Sequence, residues 1–148
     1  VASKDAEFLG LEVGGSLTVK KGAKVHARNE LRVLQKGQLI IQGGAIESLR
    51  WVDVQSGGTL AGHGTVNADL FSKGTLALSL DKPLVVKGTV KLSGQLSIAD
   101  AVKVKRGQSV TALKAKSISG RFENDKVSLA GKSYSIAYTA TSVTVTAN

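Results

Sequence analysis

Six residues of this chain have the types that handle sugars: Trp51, Glu30, Arg32, Asp53, Asp69 and Phe71. A sugar ring presents apolar C–H faces and many hydroxyls. An aromatic plane takes the face, while carboxylates and guanidinium groups take the hydroxyls. Trp51 is the single tryptophan and Phe71 one of three phenylalanines. Two structural alternatives use the same residues: Trp51 and Phe71 covered by a loop, or Trp51 packed on the stem of Arg32 or Arg50.

A second chemistry would pair Asp53 with Asp69 as general acid and base on a glycosidic bond. Its lyase version would place calcium on those carboxylates and use Arg32 or Arg50 as the base. The chain has 11 acidic residues and is short for such an enzyme. His26 and His63 stand 37 residues apart, on stretches read as turn or loop, with no partner pattern. No phosphate-binding loop, zinc spacing or nucleophile elbow occurs, and Gly62-His63-Gly64 reads as a corner. The sequence therefore assigns no catalytic residue and no cofactor, and leaves a metal open.

The six residues become neighbours only if the chain returns to the same line about every 20 residues. It carries that signal. Gly-x-Leu corners recur at Gly15-Ser16-Leu17, Gly37-Gln38-Leu39, Gly58-Thr59-Leu60, Gly74-Thr75-Leu76 and Gly94-Gln95-Leu96, with leucines spaced by 22, 21, 16 and 20 residues. Such periods fit a β-helix coil of two or three short strands. A second corner recurs at Lys21-Gly22-Ala23, Gly43-Gly44-Ala45 and Gly62-His63-Gly64. Glycine is read at these corners as the residue that tolerates positive φ.

Strands then start at Leu31, Val52, Leu70 and Val90. If these point inward, alternation sends Glu30, Trp51, Asp69 and Thr89 outward in one column, and Arg32, Asp53, Phe71 and Lys91 in the next. Leu34, Gln55, Lys73 and Ser93 make a third. After Gly120 the pattern changes to strict alternation at Val127–Leu129, Tyr134–Tyr138 and Val143–Val145, with turns at Ala130-Gly131-Lys132 and Thr139–Ser142. Tyr134, Ile136 and Tyr138 share one face there, read first as core packing of a cap and second as another sugar platform. The predicted fold is all-β: a right-handed parallel β-helix with a C-terminal antiparallel β-hairpin cap. Residues 1–10 are read as an irregular cap or linker, 11–120 as coils and 121–148 as the cap of one module.

Composition agrees. Seventeen glycines against one proline suit many turns, and 4% aromatics means a core of Val, Leu, Ile and Ala. The absence of cysteine excludes disulfides and thiolate metal sites. No apolar run approaches the roughly 20 residues of a membrane span. The start at Val1 and the lack of any Met lead to the expectation of a piece cut from a longer protein. Net charge is +9, with 15 of the 20 basic residues lysine. Eight of them fall in residues 81–116, against Asp81 and Asp100. That segment either steers an acidic polymer or keeps exposed strands soluble. With arginine scarce and no helix expected, nucleic acid is not read as a partner.

At Gly57–Val66, GGTLAGHGTV, and at the closing SYSIAYTATSVTVT, the chain resembles the β-strand repeats of bacterial autotransporter passengers. The architecture also looks like the small β-helical carbohydrate-binding modules attached to plant-polysaccharide hydrolases of gut bacteria, xylanases among them. The second resemblance implies a secreted or cell-surface, non-catalytic module. It would bind xylan or an acidic xylan and be linked covalently to a catalytic domain. The first implies a structural spacer.

Overall fold

The computed structural model describes residues 6–100, 104–129 and 131–148. They form a parallel β-solenoid of about five turns, closed at its C-terminal end by antiparallel strands. Among the described residues there is no helix, hence none long and apolar enough to cross a membrane.

Each coil has three strands and so three faces. The first face stacks β3 (Ser16–Lys20), the starts of β6 (Gln38–Val54) and β7 (Thr59–Ser72), then β8 (Thr75–Ser79) and β11 (Gln95–Asp100). The five Gly-x-Leu leucines lie here in one ladder, Leu17 beside Leu39, Leu60, Leu76 and Leu96. The second face stacks β1 (Ala6–Phe8), β4 (Lys24–Ala27), the middles of β6 and β7, β9 (Leu84–Val86) and β12 (Ser109–Lys114). The third stacks β2 (Leu11–Val13), β5 (Leu31–Val33), the ends of β6 and β7, β10 (Thr89–Leu92) and β13 (Ser117–Gly120).

Inward alternation from the three faces fills the core with aliphatic side chains, Leu39, Ile46, Val52, Leu60 and Leu70 all being fully buried. Each such side chain contributes about 1.5–3 kcal/mol by leaving water. No single coil encloses enough of them, so the stack folds as a unit.

Close approach, not positive φ, explains glycine at Gly37, Gly58, Gly74 and Gly94 of the Gly-x-Leu corners, whereas a Cβ on Gly15 would meet nothing. A Cβ on Gly94 would collide with the Gly74 carbonyl oxygen of the coil before it, and neither glycine has positive φ. At Gly62 both causes act: φ is 102° and a Cβ would strike the Ile41 carbonyl oxygen.

The coil formed by β7 is the shortest because it lacks residues at all three corners. Gln42 to Ala45 stands opposite His63 to Thr65, and Glu47 to Trp51 opposite Asn67 to Asp69. In the second case Ser48, Leu49 and Arg50 of β6 face Ala68 alone. The extra residues bulge outward, leaving Leu49 76% exposed. Ser48 steadies the bulge by donating its hydroxyl proton to the Asn29 carbonyl at 2.6 Å.

At the C-terminal end β14 (Lys126–Leu129), β15 (Lys132–Tyr138) and β16 (Ser142–Ala147) pair antiparallel in turn, and β16 pairs antiparallel with β12. The exposed edge of β11 is closed by a side chain. The amide of Asn124 accepts from the Leu96 N–H at 3.0 Å and donates to the Leu96 carbonyl at 2.9 Å, in place of a further strand. Tyr134 is buried, while Ile136 and Tyr138 pack against the core partly buried, which makes them the packing of the cap. Thr139 organises its turn by accepting from the Thr141 and Ser142 N–H groups. Of the other expected turn, Ala130 lies outside the described residues.

Two sequence expectations change. The stretch expected to be irregular up to residue 10 contains a strand. Ala6, Glu7 and Phe8 continue the second-face ladder beside Val25, His26 and Ala27, held also by an Arg28–Glu7 ion pair at 2.6 Å. A three-residue strand is too short for alternation to reveal it. His26 correspondingly sits within β4, between Glu7 and Glu47 in the ladder, and not in a turn.

Candidate functional site

The register on the third face matches the parity reading. Val52 pairs with Leu31 and Leu70, so their neighbours point outward together. Trp51 stands beside Asp69, and Arg32 beside Asp53, which stands beside Phe71, which stands beside Lys91. Strands about 4.8 Å apart place these side chains at contact distance.

Outward does not mean fully exposed. Trp51, Asp53 and Phe71 are each half-buried. The Trp51 and Phe71 rings meet at a tilt of 52° with centroids 6.1 Å apart. Arg50, on the β6 bulge, sets its guanidinium 5.5 Å from the Trp51 ring centre, and the Lys91 ammonium lies 5.6 Å from that of Phe71. The alternative in which Trp51 packs on Arg50 is thus part of the arrangement.

Beside the rings lies an open depression of about 520 Å³, lined by Trp51, Asp53, Phe71, Lys73, Lys91 and Ser93, with Ser72 and Leu92. Its electrostatics are uneven: two ammonium groups and one carboxylate. Asp53 Oδ1 is enclosed yet accepts no hydrogen bond. A carboxylate oxygen in that state lacks the partners that normally offset its desolvation.

The six sequence-selected residues do not form one constellation. Trp51, Asp53 and Phe71 share the depression just described. Glu30 and Arg32 pair with each other at 2.7 Å and line a smaller hollow of about 290 Å³ with Glu12, towards the N-terminal end. Asp69 lines neither: its Oδ1 accepts the Thr89 N–H at 2.8 Å and so holds the corner of the next coil. Strand parity places a side chain on a face but says nothing of which neighbour takes its polar atoms. Lys73 and Ser93, in the third outward column of the sequence reading, prove to be the polar rim.

The basic segment 81–116 is not one patch. Lys91 borders the depression, Lys114 lies on the second face beside Val85, and Lys105 and Arg106 lie at the cap end. Lys103 lies outside the described residues. Among the described residues no three His, Asp or Glu side chains converge as a metal-binding group. Compared with known proteins, the chain matches no family model, no curated protein and no solved structure.

Proposed function

We propose that this chain is a non-catalytic carbohydrate-binding module. It holds a plant cell-wall polysaccharide, xylan first among them, for a glycoside hydrolase carried in the same polypeptide. The observation that carries the reading is the half-buried Trp51–Phe71 pair beside an open depression rimmed by Asp53, Lys73 and Lys91. A sugar ring laid against the aromatic edge would offer a hydroxyl proton to Asp53 and hydroxyl oxygens to Lys73 and Lys91. Those ammonium groups would further favour xylan bearing uronic-acid substituents. Because the side chains stand on a packed sheet, little ordering entropy is lost on binding.

A further point favours binding over catalysis. Glycoside hydrolysis uses two carboxyl groups flanking the scissile bond. Here Asp69 is engaged with the Thr89 N–H, which leaves Asp53 alone at the depression. A polysaccharide of this class lies outside cells, so the module belongs to a secreted or surface-displayed bacterial protein.

Affinity electrophoresis across xylan, glucuronoxylan, pectin and glucomannan tests the reading. Retardation by a xylan without release of new reducing ends is expected. Free migration in all four gels refutes it. One observation favours the rival reading as a structural spacer: Arg50 already occupies a position over the Trp51 ring.

A further inference from the structure

We infer that the end of the cap at which β12 and β15 begin and β16 finishes is a second, separate binding site, built for an anionic polysaccharide. In the sheet β12-β16-β15-β14, alternation sends Val143, Val145, Tyr134 and Val127 to the core. The opposite face carries hydroxyls: Ser109 stands beside Thr146, and Thr146 beside Ser135. They bond in two groups. Ser109 and Thr146 hydroxyls share a bond of 2.6 Å, while Ser135 donates to Asn148 Oδ1 at 2.8 Å and Asn148 Nδ2 donates to Ser133 at 3.2 Å. A hydroxyl has one donor and two acceptor positions, so both groups retain capacity for a ligand.

Where β12 and β15 begin, Lys105, Arg106 and Lys132 line a depression of about 510 Å³ with Val104, Ala147 and Asn148. All three cations are exposed, and none takes part in an ion pair among the described residues. Three like charges around one hollow, with no acidic side chain in its lining, outweigh the single α-carboxylate of Asn148 and form a local positive field suited to an anion. Asn148 lines this hollow and also bonds Ser133 and Ser135, which brings hydroxyls to its edge and fits a hydroxyl-rich chain.

The face is poorly suited to other polyanions. Stacking of nucleic-acid bases needs exposed aromatics, and Tyr134 is buried beneath this sheet. Insertion into a bilayer needs exposed large apolar groups, and among the described residues these are Phe8, Leu9 and Leu49, all outside this sheet. The remaining ligand class is a polysaccharide bearing carboxylate or sulfate groups. This inference does not rest on the Trp51 depression, with which it shares no lining residue.

The test titrates the intact chain with polygalacturonate, dextran sulfate and neutral dextran at rising salt. Binding to either anionic polymer that weakens with salt, and none to neutral dextran, is expected; the polymer that binds identifies carboxylate or sulfate. Lys105→Glu/Lys132→Glu should lose about tenfold or more in affinity. The uncharged pair Lys105→Gln/Lys132→Gln should lose less, with the far-UV spectrum unchanged in both. The charge-matched control Lys20→Glu/Lys21→Glu, at the opposite end, should stay within about twofold. Trp51→Ala should leave these affinities unchanged while any xylan affinity falls, so the two sites fail separately. No binding to either anionic polymer, equal loss in the control, or tighter binding to single-stranded DNA or anionic vesicles overturns the inference.

Discussion

Replacing Trp51 by alanine separates the proposed binding role from a packing role, because the ring borders the open depression and also packs on Phe71 and Arg50. On the binding side, an aromatic anchor buried against a ligand contributes on the order of 1–3 kcal/mol, a loss of roughly five- to a hundredfold or somewhat more in affinity. On the packing side, the tilted contact with Phe71 is worth about 0.5–1.5 kcal/mol. The Arg50 guanidinium over the ring adds about 0.5–1 kcal/mol at an exposed site. Trp51→Ala should therefore lower stability by about 1–2.5 kcal/mol, less than the 3–5 kcal/mol of a fully buried tryptophan. An outward residue with nothing beside it would cost almost nothing. The assay pairs xylan affinity, by calorimetry and by the quench of the single tryptophan in the parent protein, with urea unfolding of both proteins. Unchanged xylan affinity in a folded variant refutes the site. A stability loss above about 4 kcal/mol would show instead that the ring is core.

Three other perturbations probe the scaffold. Leu60→Ala, a fully buried position in the middle of the leucine ladder, should cost about 2–5 kcal/mol in chemical denaturation, with the loss shared by all coils in one transition. Asp69→Ala should remove the acceptor of the Thr89 N–H and lower stability by about 1–2 kcal/mol while leaving polysaccharide affinity within about twofold, which equilibrium unfolding and affinity gels distinguish. Tyr138 has its pKa raised above 10.0, chiefly by burial, partly opposed by the bond its oxygen accepts from the Phe122 N–H and by the nearby Arg121. Its neutral form is thus favoured by folding: the stabilisation is full below pH 10 and is lost as pH rises from there through the raised value. Tyr138→Phe should flatten that alkaline decline in a pH series of thermal melts.

The ladders were legible because two rules fix them. Leucine after glycine at near-constant spacing marks one column, and strict alternation carries the assignment from Val52 to Trp51 and Asp53. What could not be read is how polar side chains choose partners once on a face. Glu30 takes Arg32, and Asp69 takes a main-chain N–H that exists only when the next coil is stacked. Likewise, residues 81–116 are close in sequence, yet one coil carries a chain through all three faces, so their lysines disperse. Ala6–Phe8 had only three residues with which to announce a strand, and its partner supplies the rest of the reason it forms.

The corner Ser48–Arg50, two residues longer than its counterpart at Ala68, shows that wall height and floor are set independently in this fold. The ladder on either side keeps its pairing, Glu47 with Asn67 and Trp51 with Asp69, whatever length lies between. A corner can thus grow without moving any side chain of the core, since the added residues leave the stack sideways. Arg50 arrives over Trp51 by that route. Lengthening the corner at Ala68, which stacks beside Ser48–Arg50 in the next coil, would extend the same bank along the aromatic strip, and trimming Leu49 and Arg50 would flatten it. Variation among molecules of this architecture should therefore concentrate at corners, where the shape of the surface can change while the stack beneath stays the same.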